Sequence, residues 1–190
     1  MFMIDIETLG SESTSVILSL CCIYFDPNKT NTLKELESNS IFVKFDTVEQ
    51  LNLGRTYEKS VMDWWTSRPL ETQQMSFIPS NDDVKVRDGL TLFTEYLKEY
   101  NKDNKAIYWQ RGGLDQLCLG SLCKVVLDDK DLLPFWRWRD VRTAIDIMYN
   151  SNNGYCEVNP EVLNRGEIKK HNPIHDCALD IMMLQSGISY

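Results

Sequence analysis

Asp5 and Glu7, in the run Met1-Phe-Met-Ile-Asp-Ile-Glu-Thr-Leu-Gly10, are the residues best placed to do chemistry. They stand one residue apart at the end of an apolar segment. A strand has a side-chain period of two, so both project from the same face. Two carboxylates that close repel each other, and a protein interior does not hold such a pair uncompensated. A divalent cation resolves the conflict. Taken alone, the same pair also reads as a polar strand end whose acids face water.

A second group lies near the other end of the chain, in His171-Asn-Pro-Ile-His-Asp176. Proline suits the first position of a helix, so a last helix is expected over residues 173–185. Asp176 and Asp180 would then sit one turn apart on a shared face. His171 lies just before that helix, in an irregular segment, where it pairs sensibly as a base with a fixed helical carboxylate. On its own it also reads as a solvated loop histidine. Between these ends, Gly112-Gly113-Leu114-Asp115 places an acid directly after an expected strand and a glycine turn, where a side chain can enter a cleft at a strand's carboxyl end. Asp115 alone also reads as a helix N-cap.

The elements that must position these residues follow from pattern and punctuation. Residues 2–7, 16–25 and 41–45 are apolar runs of strand length, separated by the turn signature Asp26-Pro27-Asn28-Lys29 and a polar stretch through Ser40. Short connections make an antiparallel meander the simplest arrangement. Helical spacing follows over residues 56–67, with Tyr57, Val61, Trp64 and Trp65, and Pro69 stops it. Residues 82–100 form the clearest amphipathic helix, with Val86, Leu90, Phe93, Tyr96 and Leu97 on one stripe. A short strand is expected over 105–109, a helix over 114–127, another strand over 138–141 and a helix over 142–149. The order βββαβαβα predicts an α/β fold, with a mixed sheet of antiparallel N-terminal strands plus parallel strands, flanked by helices. No repeat, linker or low-complexity tract interrupts it, so residues 1–190 are expected to form one domain.

Composition narrows the function classes. The chain has 190 residues, of which 43% are hydrophobic and 25% charged, as in an ordinary globular protein. Its net charge of −8 argues against bulk electrostatic coating of nucleic acid. It leaves room for an enzyme that grips a strand locally through metal ions and a few basic residues. Cys21, Cys22, Cys118, Cys123, Cys156 and Cys177 contain no C-x-x-C pair, so they read as reduced core thiols of a cytosolic protein rather than a zinc site. No signal peptide or membrane span is visible.

Together, Asp5 and Glu7, a mid-chain Asp115, and His171 with Asp176 resemble the signature of the DnaQ-like DEDDh 3′-5′ exonuclease superfamily, whose fold is ribonuclease H-like. Ile4-Asp-Ile-Glu-Thr-Leu-Gly10 is similar to its first motif and His171-Asn-Pro-Ile-His-Asp-Cys-Ala178 to its last. Lys44-Phe-Asp46, Met62-Asp-Trp-Trp65, Trp138-Arg-Asp-Val-Arg-Thr143 and Ile174-His-Asp-Cys-Ala-Leu-Asp-Ile181 resemble the exonuclease A (DexA-type) family of tailed phages, over nearly the whole chain. One departure falls at the middle motif, where Leu114 precedes Asp115 in place of phenylalanine.

The resemblance implies hydrolysis of a terminal phosphodiester with two Mg²⁺ or Mn²⁺ ions roughly 4 Å apart. Asp5 would bridge both ions, Glu7 and Asp176 would complete the nucleophile side, and Asp115 would hold the other ion. His171 would be the general base, with His175 as its rival; Asp180 would support the site or face water. Thr8 and Leu9 stand where similar enzymes pack the terminal nucleotide. One of Trp64 and Trp65 belongs in the core while the other lines the cleft, and Trp65 and Arg111 are taken as candidate substrate contacts. Arg137, Arg139, Arg142, Lys169 and Lys170, with Trp136 and Trp138 among them, form either a phosphate-tracking rim or a solvated face. The expected activity is a metal-dependent 3′-5′ exonuclease acting on DNA ends, single strands above all, in the cytoplasm of a phage host. A 3′-5′ exoribonuclease with the same site is the alternative within the class, and a non-catalytic nucleic-acid-binding or polymerase-accessory protein the alternative outside it. No motif for a protein partner is apparent.

Overall fold

The computed structural model describes residues 1–128, 132–163 and 165–188. Its centre is β1 (Phe2–Thr8), whose two faces are read directly from its alternation. Phe2, Ile4 and Ile6 pack on one side with Leu90, Phe93, Leu119 and Leu122, while Met3 packs on the other with Ala178, Ile181 and Met182. Burying a side chain of this kind contributes about 1.5–3 kcal/mol, so β1 is anchored from both directions.

Around it stand β2 (Ile17–Tyr24), β3 (Ser40–Lys44), β4 (Tyr108–Gln110) and β5 (Trp138–Asp140) in the order β3-β2-β1-β4-β5. The first three strands are antiparallel, with Asp5 opposite Cys21, and β4 and β5 add in parallel. The mixed sheet expected from the sequence is therefore present. A further short pair, β6 (Glu157–Val158) with β7 (Gly187–Ile188), closes beside the C-terminal helix.

Helices cover both faces. In chain order they are α1 (Leu33–Ser38), α2 (Thr47–Asn52), α3 (Lys59–Thr66), α4 (Leu70–Thr72), α5 (Val86–Tyr100), α6 (Leu114–Leu127), α7 (Val141–Tyr149) and α8 (Pro173–Ser186). One layer is made by α5 and α6, the other by α1, α7 and α8. A third, smaller cluster of Leu9, Val16, Leu18 and Trp65 lies beneath α3. All six cysteines are buried. Among the described residues no helix is long and apolar enough to cross a membrane.

Several details differ from expectation, among them the helix expected over residues 56–67, which begins at Lys59 because Thr56 bridges to Ser15. The polar stretch before Ser40 contains α1, closed by a Thr32/Glu35 capping box whose two bonds satisfy the helix's first N–H groups. The helix expected from Asp82 begins at Val86, because Val84 instead bridges to Phe45 beside β3. The strand expected from Lys105 is confined to Tyr108–Gln110.

Candidate active site

Asp5 and Glu7 leave β1 on the face that α8 covers. Between Glu7 and Thr8 the register with β2 shifts, because Leu18 is an extra residue on β2, so the ladder is locally broken just after the two acids. On the other edge, the ladder between β1 and β4 stops at Met3 and Trp109. Beyond that point Ile6 N–H donates to Asp115 Oδ1 at 3.0 Å. Asp115, only 6% exposed, thus plugs the gap between two parallel strands from the first turn of α6. That helix start is fixed by Gly112, whose φ of 85° suits glycine and whose N–H donates to Asp140 Oδ1 at 3.0 Å.

The fourth acid arrives on α8. Asn172 caps this helix through bonds from Ile174 N–H and His175 N–H, and Pro173 opens it, so Asp176 falls in its first turn. His171 precedes the cap. Its ring meets Trp64 edge to face, with centroids 4.9 Å apart, and Arg68 lies 4.6 Å over the same indole. Atoms of Glu7, His171 and Asp176 able to ligate a metal all lie within 4.8 Å of one another.

The electrostatics of this cluster are those of acids held together against their own repulsion. Burial first, then the charges of Glu7, Asp115 and Asp176, push Asp5 well above the usual carboxylate range. Burial and the charges of Asp176 and Asp115 push Glu7 up to about 8. Burial also takes Asp115 to about 7, against the lowering effect of the Ile6 N–H. Asp176 rises to about 7 through burial and its neighbour Asp180. Among the described residues, Asp5 Oδ2 is the buried side-chain oxygen without a hydrogen-bond partner. Hard oxygen donors of this kind, crowded and unsatisfied, fit a divalent cation such as Mg²⁺ or Mn²⁺. His171 is shifted the other way, lowered by burial and then by Arg68 and Lys170, so the neutral ring is favoured.

The remaining sequence candidates fall in different places. Arg111 forms a largely buried ion pair with Asp180, its Nη2 2.6 Å and its Nε 3.1 Å from the carboxylate. It also donates to Gly154 O and lies over the Tyr155 ring. Its guanidinium is committed within the protein, and Asp180 lies one helical turn beyond Asp176, close enough for its charge to act on that carboxyl. Trp65 is 1% exposed in the cluster with Leu9, and its Nε1–H donates to Thr8 O at 3.0 Å. The Thr8 hydroxyl donates to Gly10 O. Trp64, 37% exposed, is the indole that faces His171. His175 is turned to α1 and to the Lys169 backbone. Arg139 donates to Trp136 O and Trp138 O, and Lys169 pairs with Glu71.

Two contacts were not anticipated. Arg68 over Trp64 follows from their spacing of four along α3 and its C-terminal continuation, a signal present in the sequence. Glu37 against His175 joins residues far apart in the chain and has no such local signal. Beside His171 a cavity of about 540 Å³ opens, lined in part by Lys44, Met75, Val84, Leu92 and Lys169.

Comparison with known proteins covers the whole of this arrangement. Residues 1–187 match the family described as the 3′-5′ exoribonuclease Rv2179c-like domain. An exodeoxyribonuclease of Enterobacteria phage T4 is 33% identical over 205 aligned positions, which span 100% of this chain and 89% of that protein.

Proposed function

The chain belongs to the Rv2179c-like 3′-5′ exoribonuclease domain family, and on that premise we propose a divalent-metal-dependent 3′-5′ exonuclease that removes nucleoside monophosphates from the ends of DNA. The observation that carries this reading is the meeting of Glu7, His171 and Asp176 within 4.8 Å, with Asp5 contributing a buried Oδ2 that has no hydrogen-bond partner. Residues 1–190 act as one exonuclease domain.

Asp5, Glu7 and Asp176, together with Asp115, would hold two Mg²⁺ or Mn²⁺ ions. When bound, such ions polarise the scissile phosphate and lower the pKa of a coordinated water towards neutrality. Asp115, which accepts the Ile6 N–H through Oδ1, would be the fourth carboxylate of that set. His171 accepts a proton from the attacking water, for which its lowered pKa keeps the imidazole neutral near pH 7. The water oxygen bonds to phosphorus and the bond to the 3′-oxygen breaks. The terminal nucleotide departs as a 5′-monophosphate, and the shortened strand keeps a 3′-hydroxyl. Trp64 holds the His171 ring from the side, and the Arg111–Asp180 pair supports the helix turn that carries Asp176.

DNA is favoured by the full-length likeness to a phage exodeoxyribonuclease, which also supports action in a host cytoplasm. RNA is the second reading, favoured by the family description. Contact with a 2′-hydroxyl separates the two. Matched DNA and RNA single strands, labelled at the 5′ end and incubated with Mn²⁺, decide between them. Faster stepwise shortening of DNA supports the first reading and faster shortening of RNA the second. Stable binding of both without cleavage would instead support an accessory role.

A further inference from the structure

His171 occupies a backbone conformation that residues other than glycine adopt uncommonly. Its φ of 59° lies in the left-handed region, where a side chain beyond Cα is disfavoured and persists only if its surroundings enforce it. The turn responsible runs from Lys169 to Asn172 and is closed by Asn172 N–H donating to Lys169 O at 3.3 Å. Its exit is fixed because Asn172 caps α8. Its entry is fixed by Lys169 N–H, which donates to His175 Nδ1 at 3.0 Å.

His175 is itself clamped. It is 8% exposed, and its Nε2 lies 3.0 Å from Glu37 Oε1 at the end of α1. A ring nitrogen that accepts a hydrogen bond carries no proton, so the proton of the neutral ring sits on Nε2 and is donated to Glu37. Both nitrogens are occupied by structural partners, which removes His175 as a rival base. The exposed ion pair of Lys169 with Glu71 adds little hold on the turn.

We propose that His175 is a positioning residue for His171: oriented by Glu37, it accepts the Lys169 N–H and so holds the turn in which His171 reaches the acid cluster. The inference rests on the reading of His171 as general base.

Two substitutions separate the ring's two bonds. Asparagine carries its carbonyl oxygen on the carbon that bears Nδ1 in histidine, so His175→Asn keeps an acceptor for Lys169. Glutamine places its amide near the former Nε2, so His175→Gln keeps a partner for Glu37 and loses that acceptor. With single-stranded DNA and Mn²⁺, kcat should fall about two- to tenfold in His175→Gln, the effect of one hydrogen bond, and His175→Asn should recover most of it. KM and Mn²⁺ affinity should be unchanged in both. In a His171→Ala background the glutamine substitution should cost nothing further, because no base remains to be misplaced.

An equal loss in both backgrounds means that His175 serves only the fold or Asp176, and overturns the proposal. So does a His175→Asn enzyme as slow as His175→Gln. Where His175→Gln does not fold, Glu37→Ala at the exposed end of α1 reads the same coupling, as a smaller loss of kcat that also vanishes without His171. If His171→Ala alone leaves kcat unchanged, the base assignment itself fails and the positioning role falls with it.

Discussion

Stripped of divalent cations by EDTA, the protein should become less stable as pH rises from about 5 to about 8. Glu7 supplies the magnitude. Its carboxyl is pushed from 4.5 up to about 8 by burial and by the charges of Asp176 and Asp115. The folded protein therefore binds this proton more tightly than the unfolded chain does. The stability it contributes is full below the unfolded value and is lost as pH climbs through the folded one. For one such proton the loss between about pH 5 and about pH 8 is about 3–4 kcal/mol. In a chain of this size that corresponds to a fall in Tm of roughly 10 °C. Asp115 and Asp176, each pushed to about 7, act in the same direction. A bound cation takes the place of those protons, so the rise in Tm on adding saturating Mn²⁺ should grow with pH. Thermal melts followed by circular dichroism, at constant ionic strength with and without Mn²⁺, read both quantities. A metal-free Tm that is flat or rising over this interval, or a Mn²⁺ gain independent of pH, would refute the picture of mutually repelling acids.

His171→Ala should lower kcat by about a hundredfold or more, the usual scale of general-base catalysis, with Mn²⁺ affinity retained because the carboxylates are untouched; single-turnover kinetics and metal titration read the two effects, and unchanged turnover removes His171 from the mechanism. Arg111→Ala leaves the Asp180 carboxylate buried without its charge partner and should destabilise the protein by about 3–5 kcal/mol in urea unfolding. A loss below about 1 kcal/mol would mean the pair behaves like one at the surface. Trp65→Ala should cost about 3–5 kcal/mol. Trp64→Ala should cost much less stability and slow turnover instead, so equal stability losses in the two variants would contradict their assignments to core and cleft.

How far the sequence could be read depended on the range of the interaction. Alternation in residues 2–7 assigns Asp5 and Glu7 to one face because a strand's period is local, and Pro173 marks the start of α8 for the same reason. The helix at 114–127 was likewise legible, with Asp115 in its first turn. The helix α1 was missed although Thr32 and Glu35 stand at capping-box spacing, since its single turn and a half offers only Leu33 and Leu36 to the core. The start of α5 was misplaced because Val84 is claimed by a bridge to Phe45, a contact across 39 residues that no periodicity records. Within the site, motif spacing brought Asp5, Glu7, His171 and Asp176 into one reading. It left open which tryptophan is exposed. That point is decided by packing, since Trp65 fills the space under Leu9. The contact of Arg111 with Asp180 spans 69 residues and leaves no local signal.

The most direct test of the central claim uses a DNA single strand labelled at its 5′ end, with Mn²⁺ and two proteins, the native chain and Asp5→Asn. The native protein should produce a ladder that shortens one nucleotide at a time from the 3′ end. Asp5→Asn should keep the fold, because the substitution preserves shape and removes a buried charge, and it should produce no ladder. A folded Asp5→Asn protein that degrades the strand at the native rate would contradict the account, and so would native protein that releases the label first, from the 5′ end.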